Sequence, residues 1–473
     1  MRYQKEIHDY ITSHADEMIA DLGEIVAVRS VQGDALENMP FGSEPAKALA
    51  IMLDKCQKYG FTTENVDNYA GSADLNQLET TLGILAHLDV VPEGDGWHSD
   101  PYKMIYDEQT HKLLGRGTSD DKGPAIASLY AMRAVKELQI PMKNNARLIL
   151  GTNEENGSED LAYYMQKRTL PPMVFTPDGD YPVINLEKGM CRLKLSFDFT
   201  DGKSNIIKLK AGDVINAVPA HAEVVLKGVE LEEVEDAVSE VEYSYFPAIP
   251  ETVVNEDNEF VTISVNGESA HASTPEKGKN ALTFLLDILN ELNRNRKNLN
   301  GQQFEIIHKL SQLYPYRETN GKACEISASD DISGALTLVC SVMEMDATKL
   351  TAYNDIRFPV CCHGENIIAK MKEMLSPISC EAILCDEPHY TDENSPFVQT
   401  LLHVYEEVTG NQGKCLAIGG GTYVHHIEGG VAFGATFPDT DVHMHGADEF
   451  IIREHLLMDA EMIALAITEL CGA

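Results

Sequence analysis

"ARLILGTNEE" (residues 146–155) runs from a block of apolar side chains straight into two adjacent carboxylates, Glu154 and Glu155. The apolar block reads as a buried strand, since a strand covered on both faces shows a near-continuous apolar run. The paired glutamates lie just past its end. Like charges placed side by side repel unless a cation stands between them or one of them holds a proton. Taken alone, the stretch reads as a solvated loop of an acidic protein.

The same layout recurs along the chain. "TLGILAHLDVVP" (81–92) runs into His87 and Asp89, which are two apart on an extended chain and so point to one side. "KLLGRGTSDDKGPAIASLYAMRAVKEL" (112–138) is a turn and a helix. Gly123-Pro124 marks the helix start, and Asp120 and Asp121 stand just before it. "PPMVFTPDGDYPV" (171–183) is a short strand ending near Asp178, and "GGVAFGATFPDTDVHMHGADEFI" (429–451) is a strand followed by His443, His445 and a last helix. Residues 2–28 carry Ile7, Ile11, Met18, Leu22 and Ile25 at helical spacing. Strands alternating with helices predict an α/β fold on a mostly parallel, helix-covered sheet. The ligand site of such a sheet lies beyond the carboxyl ends of its strands.

From 187 to 385 the character changes. "CRLKLSFDF", "NIIKLKAG", "HAEVVLKG", "FVTISVNG" and "ISGALTLVCSVMEMD" alternate as half-buried antiparallel strands do, and "PEKGKNALTFLLDILNELNRN" is an amphipathic helix. This predicts an inserted α+β domain. Residues 1–186 and 386–473 then make up the catalytic domain. No internal repeat is evident.

Composition bounds the function. The chain has 473 residues, 43% hydrophobic and 24% charged, ordinary for a soluble globular protein and long enough for two domains. A net charge of −38 argues against nucleic acid or an anionic membrane as partner. No run approaches the roughly 20 apolar residues of a membrane span, and the start lacks the apolar core of a signal peptide. A cytoplasmic protein is expected. The ten cysteines form no C-x-x-C pair and read as reduced, mostly buried thiols. No serine-hydrolase elbow, H-E-x-x-H or P-loop occurs.

His87, Asp120, Glu155, Asp178 and His445 are together a donor set for two divalent ions of the zinc, manganese or cobalt kind. If Asp120 bridges, each ion gains one histidine, one terminal carboxylate and one shared oxygen. Asp89 would then sit behind His87 and hold its ring. Glu154 is left beside the site, placed to take a proton from the metal-held water. Each piece is weak singly, since "HLD" and "DD" occur by chance and a lone histidine after a strand is more often structural. Their common place at strand ends in one parallel unit is what joins them.

"LAHLDVVPEGDGW", "GRGTSDDKGP", "NEENGSED" and "SAHASTPEKGKNA" resemble, in order and over nearly the whole chain, the blocks of the co-catalytic metallopeptidases. These include carnosinases, aminoacylase, glutamate carboxypeptidases and succinyl-diaminopimelate desuccinylase. The likeness is nearest to the bacterial dipeptidase V branch, a monomer with a large lid. It implies the zinc-exopeptidase-like fold, the five ligands above with Asp120 as bridge, Glu154 as base, and a cis bond between Asp120 and Asp121. It further implies that His271 steadies the oxyanion with help from Asn216, and that Arg357 takes the substrate's free carboxylate. The turn Gly419-Gly420-Gly421-Thr422 would let backbone approach the substrate. One departure stands out: relatives read "GGGTYAR" here, and this chain has His425 where arginine is usual, a weaker and pH-dependent cation. His426 and His443 make the area histidine-rich, as extra metal contacts or as surface.

Three readings compete. A metal-dependent dipeptidase acting on small peptides as a monomer leads. An N-acyl or N-succinyl amino acid deacylase is the second; a site for a free substrate amine would separate the two. A non-catalytic metal-binding scaffold is the third, and a complete donor set with Glu154 beside it argues against that.

Overall fold

The computed structural model describes residues 1–295, 299 and 301–473. The chain divides into two compact units. The first is Met1–Leu186 with His389–Ala417 and Gly421–Ala473; the second is Glu187–Pro388 with Ile418–Gly420. The first unit thus resumes at His389, and Ile418–Gly420 goes with the second because Lys188 donates its amide to the Ile418 carbonyl at 2.9 Å.

In the first unit a nine-stranded sheet is parallel at its centre. Strand Thr80–His87 lies parallel to Asn145–Gly151 on one side and to Met173–Thr176 on the other, and Met173–Thr176 pairs in parallel with Val431–Ala432. Outward the pairing turns antiparallel: Ala70–Asp74 on Asn145–Gly151, Thr62–Val66 on Ala70–Asp74, and Val183–Glu187 on Val431–Ala432. The sheet is therefore mixed, where the sequence pattern pointed to a mostly parallel one. The reason at one edge is connection length. Only Asp67, Asn68 and Tyr69 join Thr62–Val66 to Ala70–Asp74, too short a link for the crossover a parallel pair needs.

The central register positions the site. His87 is paired with Gly151, so both strands end at one edge, and the turn Glu154–Asn156 follows there. Gly151 itself has no room for a Cβ, because the Tyr423 hydroxyl and the Asp160 carboxylate occupy that place.

Helices Lys122–Glu137 and Arg453–Cys471 are buried along most of their length, as helices with no polar stripe must be. Leu465, fully buried, contributes roughly 1.5–3 kcal/mol. The N-terminal segment forms Gln4–Ser13 and Ala15–Val26, separated at His14, and all five of its spaced apolar residues are buried.

The second unit is an eight-stranded sheet with every pairing antiparallel. Along Gly189–Asp198 burial alternates, and Cys191, Leu193 and Leu195 face a core shared with Leu282, Leu285, Leu289 and Leu292 of helix Ala281–Asn295. Three further strands, Glu251–Asp257, Lys349–Phe358 and Ser379–Asp386, complete this sheet beyond the five read from the sequence.

Candidate active site

His87, Asp120, Glu154, Glu155, Asp178 and His445 converge. His87 Nε2 lies 2.9 Å from Asp120 Oδ1 and 3.6 Å from Asp178 Oδ2. His445 Nε2 lies 2.8 Å from Asp120 Oδ2 and 3.2 Å from Glu155 Oε2. Asp120 thus turns one oxygen to each imidazole. His87–Asp120–Glu155 and His87–Glu154–Asp178 are two groups whose donor atoms all lie within 4.8 Å of one another. The peptide between Asp120 and Asp121 is cis.

A metal ion fits these residues on two counts. His87 Nε2, Asp120 Oδ1 and Glu155 Oε1 are buried and have no hydrogen-bond partner, a costly arrangement for polar atoms. Although His87 Nε2 and Asp120 Oδ1 are 2.9 Å apart, they are not in hydrogen-bonding alignment. Donors sharing an ion at about 2.0–2.2 Å from each stand at about that separation. The donor set, imidazole with carboxylate, suits zinc, manganese or cobalt.

The electrostatics are those of crowded like charges. Burial raises the Glu154 carboxyl well above the usual range; His87 opposes this, and Asp178, Glu155 and Asp120 add to it. Burial and then Asp120 push Glu155 up to about 6. Asp120 is held below the ordinary value, because His445 and His87 outweigh its burial. Burial alone would lower His87, but Asp120, Asp178 and Asp89 lift it well above the ordinary imidazole value.

Asp89 works differently from the expectation. The His87 ring meets the Asp89 backbone carbonyl, Nδ1 to O 3.0 Å, and its carboxylate only at 3.5 Å. That carboxylate accepts instead from the amides of Glu154 (3.1 Å) and Glu155 (3.2 Å), fixing the paired glutamates. Packing past the strand end places the carbonyl at the ring and turns the side chain to the neighbouring turn.

Four residues that the sequence reading passed over hold the site. Glu449, fully buried, accepts through Oε1 from the amides of Gly117 (2.9 Å), Ser119 (3.0 Å) and Asp120 (3.2 Å), and its Oε2 takes Arg116 Nη1 at 2.6 Å. Arg116 Nη2 also donates to the His445 carbonyl at 3.3 Å, so one ion pair ties both loops. Asp160 accepts from Thr152 N (2.6 Å), Asn153 N (2.8 Å) and Tyr423 Oη (2.5 Å), anchoring the glutamate turn from behind. "NEENGSED" contains Asp160, but nothing in spacing alone distinguishes it.

In the second unit the candidates form a chain of contacts. His271 Nδ1 lies 2.7 Å from Ser273 Oγ, and Ala272 donates to the Asn216 carbonyl at 2.9 Å. Gly419 packs so closely on Ser273 that a Cβ there would collide with it. Arg357 Nη1 donates to the Gly419 carbonyl. Arg357 is buried, not at the surface, and its Nε and Nη2 grip Asp355 at 2.5 and 3.0 Å. At Gly420 a Cβ would meet nothing within 4 Å. In the first unit, Gly421 is exposed and Thr422 caps the turn Tyr423–His426, its Oγ1 accepting from Val424 N at 3.3 Å. The His425 ring lies beside those of His389 and His426, at 6.5 and 5.1 Å between centroids. His443 lies against Phe450. Among the described residues, His425, His426 and His443 join no group of metal-type donors.

Residues 83–469 match peptidase family M20/M25/M40. The chain belongs to this family. It is 36% identical over 463 residues to the Beta-Ala-Xaa dipeptidase of Lactobacillus delbrueckii subsp. lactis, covering 96% of each chain. Its fold is similar to that of human carnosine dipeptidase 1 (TM-score 0.57, 17% identity, 98% of this chain and 99% of that one). It is similar also to that of the Saccharomyces cerevisiae di-peptidase Dug1p (TM-score 0.58, 14% identity, 98% of both). Among the described residues, no helix is long and apolar enough to cross a membrane. As an M20 peptidase the chain uses divalent metal, and the paired imidazoles around Asp120 are where its residues suit one.

Proposed function

We propose that this M20 enzyme is a metal-dependent dipeptidase that hydrolyses the amide bond of short peptides with a free amino end. The observation that carries the reading is Asp120, whose two oxygens face two different imidazoles, each with a second carboxylate beside it. Kinship with a Beta-Ala-Xaa dipeptidase over 96% of the chain supports the substrate class.

His87, Asp120 and Asp178 would hold one ion and His445, Asp120 and Glu155 the other, as zinc, manganese or cobalt. Such ions supply Lewis acidity, polarising a carbonyl and acidifying water. Glu154 takes the proton of the attacking water and passes it to the leaving amine. Its buried, raised carboxyl suits a group that must hold a proton between two steps. Asp89 acts as a positioning residue through the two glutamate amides. His271, its ring set by Ser273, and Asn216 are the donors proposed for the oxyanion. Arg357, gripped by Asp355, is the residue proposed for the substrate carboxylate, and Gly420, Gly421, Thr422 and His425 are proposed as further substrate-binding residues. Residues 187–385 act as the lid. The working form is a monomer in the cytoplasm, and the ten free cysteines fit the reducing compartment.

The test is a panel of free dipeptides beside their N-acetyl and N-succinyl counterparts, offered to enzyme loaded with each metal. Cleavage of the free peptides alone is expected. Cleavage of the acylated compounds alone would move the enzyme to the deacylases.

A further inference from the structure

Two thiols of the second unit face each other. Cys191 on strand Gly189–Asp198 and Cys385 on strand Ser379–Asp386 are directly opposed in an antiparallel pair, with Sγ atoms 3.0 Å apart. A register shift between Ala382 and Leu384 brings this about; without it Cys385 would stand opposite Met190. Bulges of this kind re-aim side chains. Directly opposed residues hold their Cβ atoms about 4.5–5.5 Å apart, and a disulfide needs about 3.5–4.5 Å, so the bond asks for a shift of about an ångström.

The surroundings keep room for both sulfurs. Gly364, at the start of helix Gly364–Leu375, lies over the pair, and a Cβ there would run into Cys385 Sγ and press on Cys191 Sγ. Cys191 is fully buried, whereas Cys385 is exposed on the outermost strand of its sheet. The two cysteines also lie near both ends of the segment Glu187–Pro388. A bond between residues 194 apart in sequence would therefore close nearly the whole unit into one covalent loop.

We propose that Cys191 and Cys385 are a modification site that closes to a reversible disulfide on exposure to a peroxide. Cys385 sulfur attacks the peroxide; the O–O bond breaks, an S–O bond forms, and one water leaves. Cys191 sulfur then attacks Cys385 sulfur. The S–S bond forms, the S–O bond breaks, and the departing hydroxide leaves as a second water with the Cys191 proton. The two thiols supply the two electrons that reduce the peroxide. Burial and then the neighbouring Cys385 push the Cys191 thiol up, which gives the first step to exposed Cys385 and the resolving step to Cys191. A disulfide that forms and is reduced again is the kind reducing compartments tolerate. The adjacent thiols Cys361 and Cys362 are 4.0 Å apart and share no opposed strands.

The experiment treats the folded, metal-loaded wild-type enzyme with hydrogen peroxide, alkylates it under denaturing conditions and maps the unreduced peptides. The expected result is one cross-link between the peptides bearing Cys191 and Cys385 and the loss of two alkylable thiols, both reversed by dithiothreitol. In Cys385→Ser treated in the same way, Cys191 is expected to stay alkylable. A sulfinic acid at Cys385 with Cys191 still free, a link at Cys361–Cys362 in its place, or ten alkylable thiols after treatment would each overturn the proposal.

Discussion

At the scale of single residues, the site depends on side chains that grip backbone. Glu449 accepts three amides of the loop that carries Asp120 and so fixes the backbone from which the Asp120 carboxylate projects. Glu449→Gln keeps the size and removes the charge. It is expected to weaken metal binding about 10–100-fold, the usual cost of losing an outer-sphere partner. Competition with a chromophoric chelator measures this, and unchanged affinity would leave the Asp120 loop self-supporting. Tyr423→Phe deletes the 2.5 Å bond to Asp160 behind the glutamate turn. The expected cost is about 1.5–3 kcal/mol of stability, read by urea unfolding, because the lost bond ends on a charged group. The sequence pointed to His87, Glu154, Glu155 and Asp178 by the apolar runs they follow, to Asp120 by its place before a helix start, and to His445 by the segment after the last strand. Glu449, Arg116, Asp160 and Tyr423 escaped it. They act through amides far along the chain, and no spacing rule connects residue 449 to residue 117.

At the scale of elements, the last helix, Arg453–Cys471, carries a buried acid outside the site. Asp459 accepts from Tyr181 Oη at 2.5 Å through one oxygen, and its other oxygen has no partner. Burial pushes this carboxyl from 3.8 up to about 8. The folded state therefore holds a proton that the unfolded state has released between those values. Stability is undiminished below about pH 4, falls as pH rises through the window to about 8 by roughly 1.4 kcal/mol per unit at most, and is level above it. Asp459→Asn is expected to flatten that slope. Urea unfolding of both proteins from pH 5 to 8 checks it, and parallel slopes would show Asp459 ionised in the fold. The helices and central strands were legible, because burial on both faces leaves long apolar runs. The antiparallel edge was not: Thr62–Val66 with Ala70–Asp74 is mostly small and polar.

At the scale of the whole molecule, charge dominates. A formal charge of −38 on 473 residues repels itself, and salt screens that repulsion as the Debye length shrinks from about 30 Å at 0.01 M to about 8 Å at 0.15 M. The melting temperature is expected to rise with sodium chloride over that range. A fall would mean that local ion pairs such as Arg116–Glu449 outweigh the net repulsion. The two-part build of the chain was visible in the sequence as the change from buried runs to alternating strands. The attachment of Ile418–Gly420 to the second unit was not, since it rests on contacts from Lys188 and Arg357 that a linear reading cannot see.

The most direct test of the two-ion, Glu154-assisted reading is a titration of metal-stripped enzyme with manganese, following dipeptide hydrolysis and bound metal together, beside Glu154→Gln. Activity is expected to level off at two equivalents per chain. The variant is expected to bind both ions while losing about 10²–10⁴-fold in turnover. Full activity at one equivalent, or a variant that turns over as fast as the wild type, would contradict it.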